Sequence, residues 1–327
     1  MAIPTVLVTF PADADRRTAI ASALDDGVEV AYVEDLPESA VPDAVEAAAG
    51  LLSWVPTREL PEAAFDRLHA GQFVQTVSAG VDHLPLERFP DGVTLLSNAG
   101  AYAEPMAEHV LALYLALSKR LLVEHRKLEA GEFDQFRPNR RVAGSTVGIV
   151  GYGAIGQATA RLLERLDVEV MAINRSGEAD RPPAFLGTPD DLERVLRRVD
   201  GLVLSAPLTP ETRGLVDAER LSMMADDAML INVARGELIV QADLYEHLRT
   251  HPEFQAGLEA WWTEPVRHGE FSLDYPLLDL PNVIGCPHNS GQVPGIHEAG
   301  QARAARNLVA AVTGGEPVHV VDPELGY

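Results

Sequence analysis

Short apolar runs alternate with helix-period stretches along nearly the whole chain. In the first hundred residues the runs fall at 5–9, 28–33, 50–55, 73–78 and 93–97, with turn residues between them. Each is too short for a helix and is bounded by turn residues, so each reads as a strand. Asp13 is placed to cap a helix running toward Leu24, with Asp15 in its first turn, where negative charge suits the helix dipole. Ala103, Met106, Val110, Leu113, Leu117 and Leu121 then recur at helical spacing and predict one long amphipathic helix. The same alternation resumes after residue 146, with strands predicted at 147–150, 168–173, 201–204, 228–232, 255–258 and 283–285 and a last helix from about 294 to 312. Strands alternating with helices predict α/β architecture with parallel sheets.

The stretch from Thr146 to Ser176 carries the most specific pattern. A β-branched run ends in Gly151-Tyr-Gly153-Ala154-Ile155-Gly156, Ala158, Leu162, Leu163 and Leu166 follow at helical spacing, and a second apolar run ends at Ile173. G-x-G-x-x-G between a strand and a helix is a dinucleotide fingerprint: the first glycine turns the chain and the second lets backbone approach a pyrophosphate. The third lets helix and sheet pack closely, and the phosphates meet the helix N-terminus. An NAD site places a carboxylate on the ribose at the end of the second strand. Here that place holds Asn174, Arg175 and Ser176. An amide, a guanidinium and a hydroxyl can all donate to a 2′-phosphate that a carboxylate would repel. The stretch therefore reads as NADP(H)-preferring, with NAD(H) possible; a polar turn with a solvated arginine is the other reading.

Charge changes the picture next. The chain has 327 residues, enough for about two domains, and 26 basic against 49 acidic side chains, a formal net charge of −23. Lys119 and Lys127 are the two lysines, so 26 − 2 = 24 of the basic residues are arginine. The acids are scattered, as at Asp13, Asp15, Asp25, Asp26, Glu34 and Asp35, so they form a shell. Such a shell repels nucleic acid and anionic membranes, and it resembles the surfaces of halophile proteins; an ordinary acidic protein is the alternative. One cysteine, Cys286, excludes an internal disulfide and suits the cytoplasm. No secretory leader and no membrane-spanning run is expected, and no metal-ligand spacing is seen.

Three later stretches place chemistry at strand ends. Arg235 follows one apolar run, Glu264 follows Glu259-Ala-Trp-Trp-Thr, and His288 follows another run after Cys286-Pro287. Ligands bind at the carboxyl ends of strands in open α/β sheets. Each residue alone is commonplace. Together they suit one reaction: arginine binds and polarises a 2-keto acid, histidine shuttles a proton, and the carboxylate orients the imidazole.

With these residues in view, the chain resembles the D-isomer-specific 2-hydroxyacid dehydrogenase family over essentially its whole length. The resemblance rests on Ser78-Ala-Gly-Val-Asp-His83, Pro105-Met-Ala-Glu-His109, Pro207-Leu-Thr-Pro-Glu-Thr212, Asn232-Val-Ala-Arg235-Gly236, Glu264-Pro265 and Pro287-His288. It implies a doubly wound Rossmann cofactor domain, residues 99–290, inserted into a smaller flavodoxin-like substrate domain, residues 1–98 and 291–327, with a cleft between them. It implies Arg235, Glu264 and His288 as the catalytic trio, and main-chain N–H groups at Ala79, Gly80 and Val81 as further holders of the substrate carboxylate. On the cofactor side it implies Gly151, Gly153, Ala154, Ile155, Gly156, Asn174, Arg175, Ser176, Ser205, Ala206, Pro207, Thr212, Val233, Glu259 and Ser290. A homodimer is the family expectation.

Two departures stand out. Glu259 occupies a position where the family usually has Asp, and Asn174 replaces the usual acid, as in the NADP-using members. The implied activity is NAD(P)H-dependent reduction of 2-keto acids to D-2-hydroxy acids. Its glyoxylate/hydroxypyruvate reductase branch is a narrower reading, and a non-catalytic dinucleotide-sensing protein on the same fold is the alternative from another class.

Overall fold

The computed structural model describes residues 3–24, 27–323 and 325–327; Asp25 and Asp26 of the acidic shell lie outside the described residues. The chain divides into two compact units, Met1–Tyr102 with Val293–Tyr327, and Ala103–Gln292. The divisions fall after Tyr102 and Gln292, where the sequence reading puts them after Asn98 and Ser290. Hydrogen bonds account for the shift. Asn98 Nδ2 donates to Val77 O and Gly300 O, and the Tyr102 hydroxyl donates to Val77 O, which ties the segment up to Tyr102 into the first unit.

The first unit is built on β1 (Thr5–Val8), β2 (Glu29–Tyr32), β3 (Gly50–Ser53), β4 (Phe73–Thr76) and β5 (Thr94–Leu96). All pairs are parallel and the order is β2-β1-β3-β4-β5, the flavodoxin-like order. Both faces are covered, so β3 is buried at every position. Val6, Val8 and Leu52 pack on one side with Ala304, Ala305 and Leu308 of the helix Ile296–Val312; Leu7, Leu51 and Val74 pack on the other. Each buried Val or Leu among them is worth ~1.5–3 kcal/mol. Asp13 accepts from Arg16 N–H at 2.9 Å and starts the helix Ala14–Ala21.

The second unit carries seven parallel strands: β6 (Thr146–Val150), β7 (Glu169–Ile173), β8 (Phe185–Gly187), β9 (Gly201–Leu204), β10 (Met229–Asn232), β11 (Gln255–Leu258) and β12 (Val283–Gly285). Their order is β12-β11-β10-β9-β6-β7-β8, a Rossmann arrangement that reverses direction between β6 and β9. The hydrophobic pattern predicts six of these strands. It misses β8, a three-residue edge strand just after Pro182 and Pro183 that pairs only with β7. The predicted long helix is also two: Ala103–Ser118, then Leu121–Glu129 after Arg120 at φ +52°. The left-handed residue turns the second helix off the first, and Leu121 ends 58% exposed.

Candidate active site

At the carboxyl end of β6 the three glycines do separate jobs. Gly151 has φ +97°, and a Cβ there would lie 2.4 Å from the Ala206 nitrogen. A Cβ on Gly156 would lie 2.3 Å from Gly151 O, so only glycine lets the helix Ala154–Glu164 approach its strand. A Cβ on Gly153 would meet nothing within 4 Å, which leaves space over the helix N-terminus for a diphosphate. Ser205 Oγ donates to Gly151 O at 2.8 Å and pins the turn to the end of β9. The Thr212 hydroxyl donates to Pro207 O at 2.7 Å and accepts from Thr209 N–H, so the adenosine-side loop is held by its own threonines. These residues fit a dinucleotide.

The end of β7 is more committed than its sequence suggests. Asn174 Nδ2 donates to Glu178 O at 2.8 Å and Asn174 Oδ1 accepts from Gly177 N–H at 2.7 Å, so this amide chiefly shapes the turn. Arg175 and Ser176 are exposed. The charge of Arg175 is one of the influences that hold the Glu211 carboxyl below its usual range, after hydrogen bonds from the Thr209 side chain and the Glu211 backbone. An open depression lined by Ser176, Gly177, Glu178 and Asp180 lies beside this turn, so two carboxylates accompany the arginine.

Arg235 owes its place to buried Asn232. Asn232 Nδ2 donates to Arg235 O at 2.8 Å, and its Oδ1 accepts from Ala234 N–H at 3.0 Å, closing a turn off β10. A Cβ on Gly236 would lie 2.3 Å from the Trp261 carbonyl carbon, so the Arg235 turn packs directly on the segment that delivers Glu264. Neither support stood out in the sequence; the Asn at the end of an apolar strand was the available signal. Val233 is 1% exposed, so its side chain belongs to the core and only its main chain can face a ligand.

Glu264 and His288 form a direct pair. His288 Nδ1 lies 2.9 Å from both carboxylate oxygens of Glu264, and Trp261 N–H donates to Oε1 at 2.7 Å. Glu264 is 6% exposed. Burial alone would raise its pKa. The hydrogen bond and charge of His288, the Trp261 N–H and the charge of Arg235 outweigh burial and hold the carboxyl below its usual range. His288 sits at φ +51°. A left-handed residue that is not glycine costs on the order of 1–3 kcal/mol and often marks a functional site. With Nδ1 held by Glu264, Nε2 is the ring nitrogen available for proton transfer.

A second carboxylate–histidine pair joins the end of β11 to the helix Ala103–Ser118. Glu259 is fully buried, its Oε1 accepts from Ser290 N–H at 2.5 Å, and its Oε2 lies 3.3 Å from His109 Nε2. His109, Glu259 and Cys286 bring their donor atoms within 4.8 Å of one another. Cys286 and then Glu259 push the His109 ring up to about 9, against its burial. His109 carries no functional expectation in the sequence reading beyond the motif that contains it.

In the first unit, Ala79, Gly80 and Val81 form the loop after β4. Ser78 Oγ donates to Gly80 O at 3.1 Å, and Val81 turns its side chain into the core.

Comparison with known proteins agrees with this chemistry. The family described as D-isomer specific 2-hydroxyacid dehydrogenase, NAD binding domain, matches residues 111–290. The mouse glyoxylate reductase/hydroxypyruvate reductase is 31% identical over 319 residues, 94% of this chain and 95% of that protein. The structure of a D-isomer specific 2-hydroxyacid dehydrogenase from Xanthobacter autotrophicus Py2, in complex with NADPH and MES, superposes with a TM-score of 0.81 at 27% identity and covers all of both chains. An NADPH-dependent glyoxylate/hydroxypyruvate reductase from Sinorhizobium meliloti, in complex with NADP and sulfate, gives 0.79 at 25% identity over 99% of this chain and 100% of that one. The chain belongs to the D-isomer specific 2-hydroxyacid dehydrogenase family, oxidoreductases that use a nicotinamide dinucleotide on the CH–OH group of 2-hydroxy acids.

Proposed function

We propose that this enzyme reduces small 2-keto acids of the glyoxylate and hydroxypyruvate class, with NADPH as its preferred cofactor. The observation that carries the reading is the Glu264–His288 pair, with Nδ1 held at 2.9 Å and the charge of Arg235 acting on the same carboxyl. The unit Met1–Tyr102 with Val293–Tyr327 would serve as the substrate domain and Ala103–Gln292 as the cofactor domain. When bound, the reduced nicotinamide supplies the hydride to the keto carbon.

The residues do the rest. Arg235 holds the substrate carboxylate and keto oxygen through its planar fork, and the main chain at Ala79, Gly80 and Val81 is read as a second carboxylate holder. As hydride reaches carbon, negative charge develops on the oxygen, and protonated His288 donates from Nε2 to give the hydroxyl. Glu264 keeps the ring in that orientation and stabilises the charged imidazole before donation. Gly151, Gly153, Ala154, Ile155 and Gly156 cradle the diphosphate; Ser205, Ala206, Pro207 and Thr212 line the adenosine; Val233, Glu259 and Ser290 meet the nicotinamide amide.

The preference for NADPH rests on Asn174-Arg175-Ser176 in place of a ribose-binding carboxylate, and on the NADPH and NADP reported for the two structural relatives. Glu178 and Asp180 in the same loop oppose it, so the balance falls on Arg175. Turnover of a keto-acid panel with each cofactor tests both halves. Arg175→Ala should raise the NADPH KM roughly ten-fold or more, the loss of one charge-assisted contact, and leave NADH nearly untouched. Equal use of both cofactors by the parent enzyme removes the cofactor assignment, and no turnover with any 2-keto acid removes the substrate class. We also read the enzyme as a cytoplasmic homodimer that avoids nucleic acid because of its acidic charge.

A further inference from the structure

We propose that His109 is a positioning residue for the cofactor's carboxamide: it stands beside buried Glu259 and, with Ser290, fixes that carboxylate with Oε2 open to an amide N–H. The inference rests on the reading of Glu259 as the nicotinamide contact and adds the residue that makes that contact workable.

Glu259 has no exposed surface. A carboxylate at that depth is costly unless polar or cationic groups stand beside it. Its surroundings supply one donor and one cation. Ser290 N–H occupies Oε1, and the His109 ring stands 3.3 Å from Oε2. That ring N–H is not aligned for a hydrogen bond, so both Oε2 and His109 Nε2 are buried without a directional partner. The pair thus satisfies charge and leaves a lone pair, which suits a neutral donor with N–H groups and would reject a second anion. A carboxamide is that donor.

The supports are rigid. His109 lies on the helix Ala103–Ser118, whose Ala103 and Ala107 pack against Ala158 and whose Val110 and Leu113 enter the core beside β6. Glu259 and Ser290 follow β11 and β12. The departure from Asp also gains a reason. One more methylene lets a single carboxylate span Ser290 N–H and the His109 ring.

The test uses the full-length protein and two probes, NADPH and 2′-phospho-ADP-ribose, which lacks the nicotinamide. In His109→Gln the NADPH affinity should fall roughly ten-fold while the fragment binds as before, the signature of one lost charge-assisted contact. His109→Lys, which restores a cation, should recover most of the loss. The titratable groups acting on the ring are Cys286 and Glu259, so in the parent protein the advantage of NADPH over the fragment should decline as pH rises through about 9. Equal losses for both probes would mean general damage to the unit and overturn the inference. A parental preference for NADPH that survives His109→Gln overturns the pairing alone. A parent that binds both probes equally overturns the pairing together with the reading of Glu259. Zinc chloride that binds stoichiometrically, blocks NADPH and loses its site in Cys286→Ser would assign the three donors to a metal and likewise overturn it.

Discussion

Two glutamate–histidine pairs lie in the second unit, made of the same groups, and we read them as set to different work. In the Glu264–His288 pair the ring nitrogen Nδ1 sits 2.9 Å from both oxygens, and we read Nε2 as the reactive nitrogen. In the Glu259–His109 pair the separation is 3.3 Å without alignment, and the free atom is a carboxylate oxygen. On the proposed reading, the first arrangement spends its carboxylate to aim a histidine and the second spends its histidine to fix a carboxylate. Alignment, and which partner keeps an unused atom, separates a proton donor from a binding contact.

The largest expected effect comes from breaking the first pair at its reactive member. His288→Ala should lower the rate of keto-acid reduction by roughly 10²–10⁴ while NADPH affinity, measured by fluorescence titration, holds. A comparable loss of cofactor affinity would mean that the two pairs are not divided in this way.

Next comes the arginine whose charge acts on the Glu264 carboxyl. Arg235→Lys keeps the charge and loses the fork, so kcat/KM for keto acids should fall roughly ten- to hundred-fold with cofactor binding intact. Near-parental kinetics would show that Arg235 is not the substrate clamp.

The smallest effect concerns stability, and here the pairs should part at opposite ends of the pH scale. The folded state holds the Glu264 carboxyl below its ordinary value, so its contribution is present above the unfolded carboxylate pKa of ~4.3 and is lost as pH falls through the folded value. The folded state raises His109 to about 9, so its contribution is full below the unfolded histidine pKa of ~6.5 and is lost as pH rises through about 9. Melting curves across pH for the parent, Glu264→Gln and His109→Gln check this. The parent's advantage over Glu264→Gln should shrink only in acid, and its advantage over His109→Gln only in base. Advantages that vary in parallel would contradict the division.

Much of this molecule was legible along the chain because its signals are local. A buried parallel strand must be a short apolar run, and a diphosphate turn off a strand must carry Gly151, Gly153 and Gly156, so both show in consecutive residues. Arg235, Glu264 and His288 were legible as strand-end residues of the right chemistry, helped by their resemblance to a family. The weak edge strand β8 was not, since three residues after two prolines, two of them half-buried, carry no periodicity.

What the tertiary structure alone decided involves partners far apart in sequence or side chains with two possible uses. The Asn174 amide could have met a phosphate or closed a turn, and the fold gives it to Glu178 and Gly177. Val233 could have offered a side chain to a ligand, and the core takes it. His109 comes beside Glu259, 259 − 109 = 150 residues later in the chain, only because its helix packs on the sheet. Local pattern determined the elements and the cofactor turn. Packing determined which polar atoms are spent on the fold and which remain for chemistry, because a buried polar atom's use depends on what surrounds it in space.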